Sequence, residues 1–171
     1  MNNLSAKYRA SLPAVLKNIS LTIKDGEKVA IVGRSGAGKS SIVLALYRLI
    51  EPQEGSYKLG GYNALDMGLH SLRRHISLIP QTPFIFTGTI KQNLDPYNVI
   101  PEEVLMKALE DAGLGNKIKT LPKQLETEIT NNSEVFSVGQ KQLLCLARIL
   151  AKNNKILFLD EATSNLDLET D

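Results

Sequence analysis

Only one cysteine, Cys145, occurs among the 171 residues. No internal disulfide can form, and the residue falls inside an apolar helical pattern where a buried, inert thiol is the ordinary outcome. A reducing, intracellular compartment is the expectation that follows. No window approaches the roughly 18 consecutive apolar residues of a membrane span. The N-terminal "MNNLSAKYRASLP" also lacks the apolar stretch of a secretory signal. The segment is therefore expected to be soluble, or attached to a membrane only through something else. A large charge of one sign is missing too: the formal net charge is +2 and the Lys and Arg are scattered. That argues against nucleic acid or an anionic membrane surface as a partner. There is no internal repeat and no low-complexity tract. Gly33, Gly36 and Gly38 are not spaced as G-x-G-x-x-G, which disfavours a dinucleotide oxidoreductase.

The hydrophobic content of 43% and charged content of 22% suit one globular domain with a core of ordinary size. "VLKNISLTI" (15–23) alternates as a strand does, and "DGEKVAIVG" reads as a turn followed by a nearly continuous apolar strand of the fully buried kind. From Lys39, "KSSIVLALYRLI" has helical spacing and is closed by "EPQEG". "SYKLGGYN" and "RRHISLIPQ" read as short strands, with "GLHSLR" as a single turn between them. Residues 89–152 read as mostly helical, with Pro101 and two acids at one helix start and "AGLG" at its end. "KILFLD" returns to a buried strand pattern. Together these predict an α/β sheet interrupted by a helical insert.

"GRSGAGKS", Gly33 to Ser40, matches G-x-x-x-x-G-K-[ST] between a predicted strand and a predicted helix, the context this phosphate-binding loop requires. Glycines let the loop wrap phosphates, while successive N–H groups and the helix N-terminus attract them. Lys39 then reaches the β and γ groups, and Ser40 ligates Mg²⁺. With glycine near 7% of residues, the fixed positions arise by chance on the order of 1% of the time in such a chain. Gly33, Arg34, Ser35, Gly36, Ala37, Gly38, Lys39, Ser40 and Ser41 are thus the candidate phosphate cradle. "KILFLDEATSNLD" puts Asp160 at a strand end, suited to hold Mg²⁺ directly or through water. Glu161 is placed to take a proton from attacking water, or simply to cap the next short helix.

A second anion-type helix entry lies at "EVFSVGQKQLLCLARIL", where Ser137 and Gly139 precede an apolar-striped run. Read by itself, Ser137 is a helix cap worth roughly 1 kcal/mol.

The P-loop, then "IPQ", "FSVGQKQLLCLAR" and "LFLDEATSNLD", resembles the nucleotide-binding domain of an ABC transporter. "YRASLPAVLKNIS", "GTIKQNLDP", "SVGQKQLLCLAR" and "DEATSNLDLETD" narrow the resemblance to the C subfamily, the multidrug-resistance-associated type, and to its second nucleotide-binding domain. The likeness runs along essentially the whole chain. It implies a P-loop NTPase core, about 1–81 and 154–171, with an antiparallel β region and an inserted helical signature subdomain at about 82–153.

Site roles follow from the same resemblance. Gln81 matches the glutamine that approaches the metal and the attacking water and couples the site to the membrane domain. Ser137, Val138, Gly139 and Gln140 match the signature motif, Asp167 the D-loop aspartate, and Tyr8 the aromatic that stacks on adenine. Two such domains meet head to tail in the family, with ATP between the P-loop of one and the signature helix of the other. Ser137 and the Gly139 N–H would then face an ATP held by another domain. Val138 stands where many members have glycine, as is common in second domains of this subfamily, and Phe136 replaces a leucine.

The family's switch histidine lies beyond the D-loop, so the resemblance implies a domain incomplete at its C-terminus. His70 and His75 are expected to be surface or packing residues. The expected function is MgATP hydrolysis driving export through membrane-spanning domains of the same transporter, at the cytoplasmic face of a membrane. The alternatives are an ATP-dependent dimerising regulatory module of a channel-like member and a soluble ABC ATPase.

Overall fold

The computed structural model describes residues 1–80, 82–130 and 135–160. The chain falls into two compact units, one from Met1 to Ile76 and one from Ser77 onward.

The first unit is built on a three-stranded antiparallel sheet. Its middle strand is β1 (Asn2–Ala6), flanked by β2 (Leu16–Ile19) and β3 (Pro52–Ser56). Leu4 and Ala6, two residues apart and therefore on one face, are fully buried. Both β1 and β3 escape the sequence reading, which treats "EPQEG" only as a helix stop. Their pairing is irregular in register. Gly55 has φ +79°, and a Cβ there would sit 2.3 Å from the Asn3 carbonyl oxygen. Only glycine permits that approach of two backbones at a bulge.

Helix α1 (Lys39–Leu46) ends where tyrosine and arginine side chains take up its last carbonyls. The Tyr57 hydroxyl donates to Leu46 at 2.8 Å, and Arg73 Nε and Nη2 donate to Tyr47 at 3.0 Å and Arg48 at 3.1 Å. Those acceptors are the groups a helix C-terminus leaves orphaned. The strands β4 (Lys58–Leu59) and β5 (Tyr62–Asn63) form a hairpin across Gly60 and Gly61, both with positive φ, as a tight two-residue turn requires. The expected single turn at "GLHSLR" is a six-residue helix, α2 (Leu69–Arg74). His70 and His75 are both exposed, as the sequence suggested.

One expectation for this unit is corrected. Residues 28–32 were expected to be a buried strand, yet they form no regular element, and Val29, Ile31 and Val32 are exposed, Val32 at 92%. A central strand is stabilised by neighbours on both edges. Among the described residues, no backbone hydrogen bond reaches this segment.

The second unit is mainly helical. A two-stranded pairing of β6 (Ile76–Ile79) with β9 (Ile156–Leu159) stands at its start and end. Between them come β7 (Gly88–Thr89), α3 (Ile90–Leu94), α4 (Glu102–Asp111) and α5 (Gly115–Thr120). A 3₁₀ turn at Gln124–Glu126, β8 (Glu128–Ile129) and α6 (Val138–Lys152) follow. Helix α4 starts directly after Pro101 with Glu102 and Glu103 in its first turn, and it closes at Ala112 and Gly113, whose φ is +82°. These ends match the sequence expectation and the helix dipole. Leu94, Leu105, Leu109, Leu114, Ile118 and Leu144 are buried in one apolar cluster joining α3 to α6. The strand at "KILFLD" is present, but Leu157 and Leu159 are 45% and 62% exposed, so it is not the fully buried strand expected.

Candidate nucleotide site

The P-loop is assembled from local backbone geometry in the first unit. Ala37 N–H donates to the Arg34 carbonyl at 3.1 Å, closing a turn, while Gly36 and Gly38 adopt φ of +77° and +93°. Gly38 is the N-cap of α1 and supplies no side-chain acceptor, and no acid occupies the first turn. A helix start arranged this way leaves amide hydrogens and the positive end of the helix dipole for an anion. Gly38 is needed twice over, since a Cβ would also come within 3.3 Å of the Val15 carbonyl oxygen.

Lys39 is folded onto its own loop, with Nζ donating to the Gly33 carbonyl at 2.9 Å and the Arg34 carbonyl at 3.1 Å. The ammonium therefore lies on the loop that the sequence assigns to phosphates. Tyr8 lies in the same unit, half exposed, with its hydroxyl 2.8 Å from Ser41 Oγ. The glycine turn, the uncapped helix start and the lysine suit a polyphosphate.

In the second unit, Asp160 follows β9, and its N–H donates to the Ile79 carbonyl at 3.0 Å. The described residues contain no cluster of three or more His, Cys, Asp or Glu able to hold a metal. Gln81, Glu161 and Asp167 lie outside the described residues.

The signature segment forms the start of α6. Ser137 is its N-cap in a reciprocal capping box: Ser137 Oγ accepts from Gln140 N–H at 3.2 Å, and Gln140 Oε1 accepts from Ser137 N–H at 3.1 Å. Phe136 is buried in the helical core, so it packs where the family's leucine is expected to. Val138 is exposed, and Gly139 has open space where a Cβ would stand. The first turn carries no acid, so its N–H groups face no negative competitor there.

Sequence reasoning missed Arg148. Its guanidinium reaches out of α6 to the Asn93 carbonyl at 2.6 Å and the Phe84 carbonyl at 3.2 Å. Burial pushes its pKa down, and the neighbouring Cys145 acts in the opposite direction. A charged residue within an apolar helical stripe was the available signal.

A glycine turn opening a helix, with its lysine on the loop, defines a P-loop nucleotide-binding domain. The family model described as ABC transporter matches residues 16–164, and the chain belongs to that family. It is similar to "ABC transporter C family member 12" of Dictyostelium discoideum, at 50% identity over 99% of this chain and 13% of that protein. It is also similar to human "ATP-binding cassette sub-family C member 3", at 47% identity over 99% of this chain and 11% of that protein. The chain thus spans only 11–13% of the length of these relatives. Among solved structures, a bacterial Atm1-family ABC exporter with ATP bound superposes with a TM-score of 0.87 at 33% identity, over 98% of this chain and 29% of that one. The α/β ABC ATPase fold and the C-subfamily kinship expected from the motifs both hold. No helix among the described residues is long and apolar enough to cross a membrane.

Proposed function

We propose that this chain binds MgATP and hydrolyses it as one nucleotide-binding domain of a C-subfamily exporter, partnered by a second such domain and by membrane-spanning domains of the same transporter. The observation that carries this reading is the P-loop turn at the head of α1, with Lys39 lying on the Gly33 and Arg34 carbonyls. In this reading the loop N–H groups from Gly33 to Ser41 hold the phosphates. Lys39 leaves its two carbonyls for the β and γ oxygens, an exchange of one set of acceptors for a more strongly charged one. Ser40, Asp160 and Gln81 are the proposed metal-site residues. When bound, Mg²⁺ would neutralise charge developing on the transferred phosphoryl group.

Glu161 accepts the proton of the attacking water. Tyr8 stacks on adenine, and Asp167 serves the facing site. Ser137, Val138, Gly139 and Gln140 address the γ-phosphate of an ATP held by the partner domain, so neither site closes within one copy of the chain. Residues 1–171 act as one domain, with a core of about 1–81 and 154–171 and a helical subdomain of about 82–153. The domain works at the cytoplasmic face of the membrane.

The test is Glu161→Gln in the full-length protein carrying this segment. ATP binding persists while steady-state hydrolysis falls by about 10²-fold or more, the size of a general-base contribution. Unchanged turnover removes Glu161 from that role. Absence of turnover in the unaltered protein, with nucleotide-dependent dimerisation intact, would instead support a regulatory module.

A further inference from the structure

Helix α6 carries a row of side chains at i, i+3 and i+6: Gln142, Cys145 and Arg148. Such a row forms one ridge of a helix. Gln142 and Cys145 are buried, at 5% and 3% exposure. The ridge meets the segment after Ile79. Arg148 Nη1 donates to the Phe84 carbonyl, and the Cys145 thiol donates to the same oxygen at 3.8 Å. Arg148 Nε donates to the Asn93 carbonyl. Asn93, fully buried, passes the connection on: its Oδ1 accepts from Phe86 N–H at 3.1 Å, and its Nδ2 donates to the Phe86 carbonyl at 2.9 Å and the Thr89 carbonyl at 3.1 Å.

Residues 82–87 have no helix or strand of their own, so these side-chain bonds are their main described anchors. Arg148 spans 64 residues of sequence to Phe84 and 55 to Asn93. One planar fork thereby joins α6 to the irregular segment at Phe84 and to α3 at Asn93, a fixed geometry that the flexible ammonium of a lysine does not reproduce.

We propose that Arg148 is a positioning residue that locks the segment following Gln81 to the signature helix, so that a movement of either is felt by the other. This rests on the ATPase reading above, in which both Gln81 and the Ser137 end of α6 serve nucleotide. The ridge is poorly arranged for stability alone. Arg148 Nη2 and both amide atoms of Gln142 are buried without a hydrogen-bond partner among the described residues. Each unmet buried polar atom is costly, and apolar side chains of similar size commonly stabilise such places better. What Arg148 does hold is specific, the carbonyls of Phe84 and Asn93.

The experiment is Arg148→Lys in the full-length protein. Cys145 labelling by a small thiol reagent is read by peptide mass spectrometry, alongside the melting temperature and the kcat and KM for ATP. Loss of one arm of a charged hydrogen-bond fork predicts Cys145 labelling faster by about tenfold or more, without a matching loss of global stability. Turnover is expected to fall by about tenfold with KM for ATP changed less than about twofold, since the P-loop is untouched. Labelling unchanged, labelling that rises only in step with global unfolding, or a KM effect without a kcat effect would each overturn the proposal. If the unaltered protein shows no ATPase activity, the functional reading fails by itself, and the labelling arm still decides whether Arg148 holds the segment.

Discussion

The Tyr8 and Ser41 hydroxyls lie 2.8 Å apart, which ties the N-terminal segment to the first turn of the P-loop helix. Ser41 is buried and Tyr8 is half exposed, so the side chain is held at its hydroxyl end while about half of the residue remains accessible. An anchored aromatic is what a stacking platform needs. Tyr8→Phe keeps the ring and removes the bond. It is expected to lower stability by about 1 kcal/mol while changing ATP affinity by less than about threefold. Tyr8→Ala also removes the ring and should weaken ATP binding by about two- to tenfold, the worth of one stacking contact. Nucleotide titration with thermal melting separates the two effects, and equal affinities for Tyr8→Ala and the unaltered chain would take Tyr8 out of adenine binding.

Gly36 and Gly38 both have positive φ, but only Gly38 is also hemmed in, by the Val15 carbonyl oxygen. Alanine at either position meets left-handed strain of about 1–2 kcal/mol. At Gly38 the new methyl must displace a neighbouring backbone as well. Gly38→Ala is therefore expected to destabilise the chain more than Gly36→Ala, by about 1 kcal/mol or more. Urea denaturation of the two variants gives the order directly. The reverse order would mean that the Val15 backbone yields freely.

The parts of this molecule that were legible in its sequence are those whose cause is local. The helix start at Lys39 after the glycine loop, the Pro101 helix start and the Ser137 cap each follow from a few adjacent residues, and each is found where expected, though the strand expected before the loop is not. The strands β1 and β3 were not legible, because "PQEG" has no strand character of its own. It is drawn into a sheet by pairing with residues 2–6, far away in sequence, as in the Asn2–Ser56 register. The run 28–32 failed in the opposite direction. Its apolar pattern states a capacity to be buried, but burial is supplied by neighbouring strands, and none among the described residues pairs with it. Arg148 illustrates a third limit: a sequence can show a charge in an apolar stripe without naming the carbonyls that receive it.

Tyr57 gives the fold an alkaline limit. Its pKa is pushed up from 10.0 to about 12, chiefly by burial, with Arg48 opposing and Glu51 adding to the shift. The folded state thus favours the neutral phenol, which donates to the Leu46 carbonyl. That contribution is complete below pH 10 and is lost as the pH rises from about 10 towards 12, with a slope of about 1.4 kcal/mol per pH unit at most. Tyr47 is raised to about 12 as well. Tyr57→Phe should therefore reduce, and not abolish, the alkaline fall in stability, while costing about 1 kcal/mol at neutral pH through the lost bond. Urea midpoints from pH 9 to 11.5 measure both, and an unchanged slope would show that Tyr57 ionises freely in the folded chain.

Ser137 has a structural duty that is established by geometry and a proposed catalytic one, and a single pair of substitutions separates them. The capping box with Gln140 predicts that Ser137→Ala lowers stability by about 1 kcal/mol. Aspartate caps as well as serine does and complements the positive end of the helix, so Ser137→Asp should restore that stability or exceed it. Its carboxylate would nevertheless stand where the γ-phosphate of a partner-held ATP is proposed to arrive, and like charges at contact repel strongly in a site that excludes water. The full-length protein with Ser137→Asp is therefore expected to melt no lower than the unaltered protein and to lose ATP turnover by about tenfold or more. Normal turnover in this variant would mean that no phosphate approaches Ser137, leaving the residue a helix cap alone.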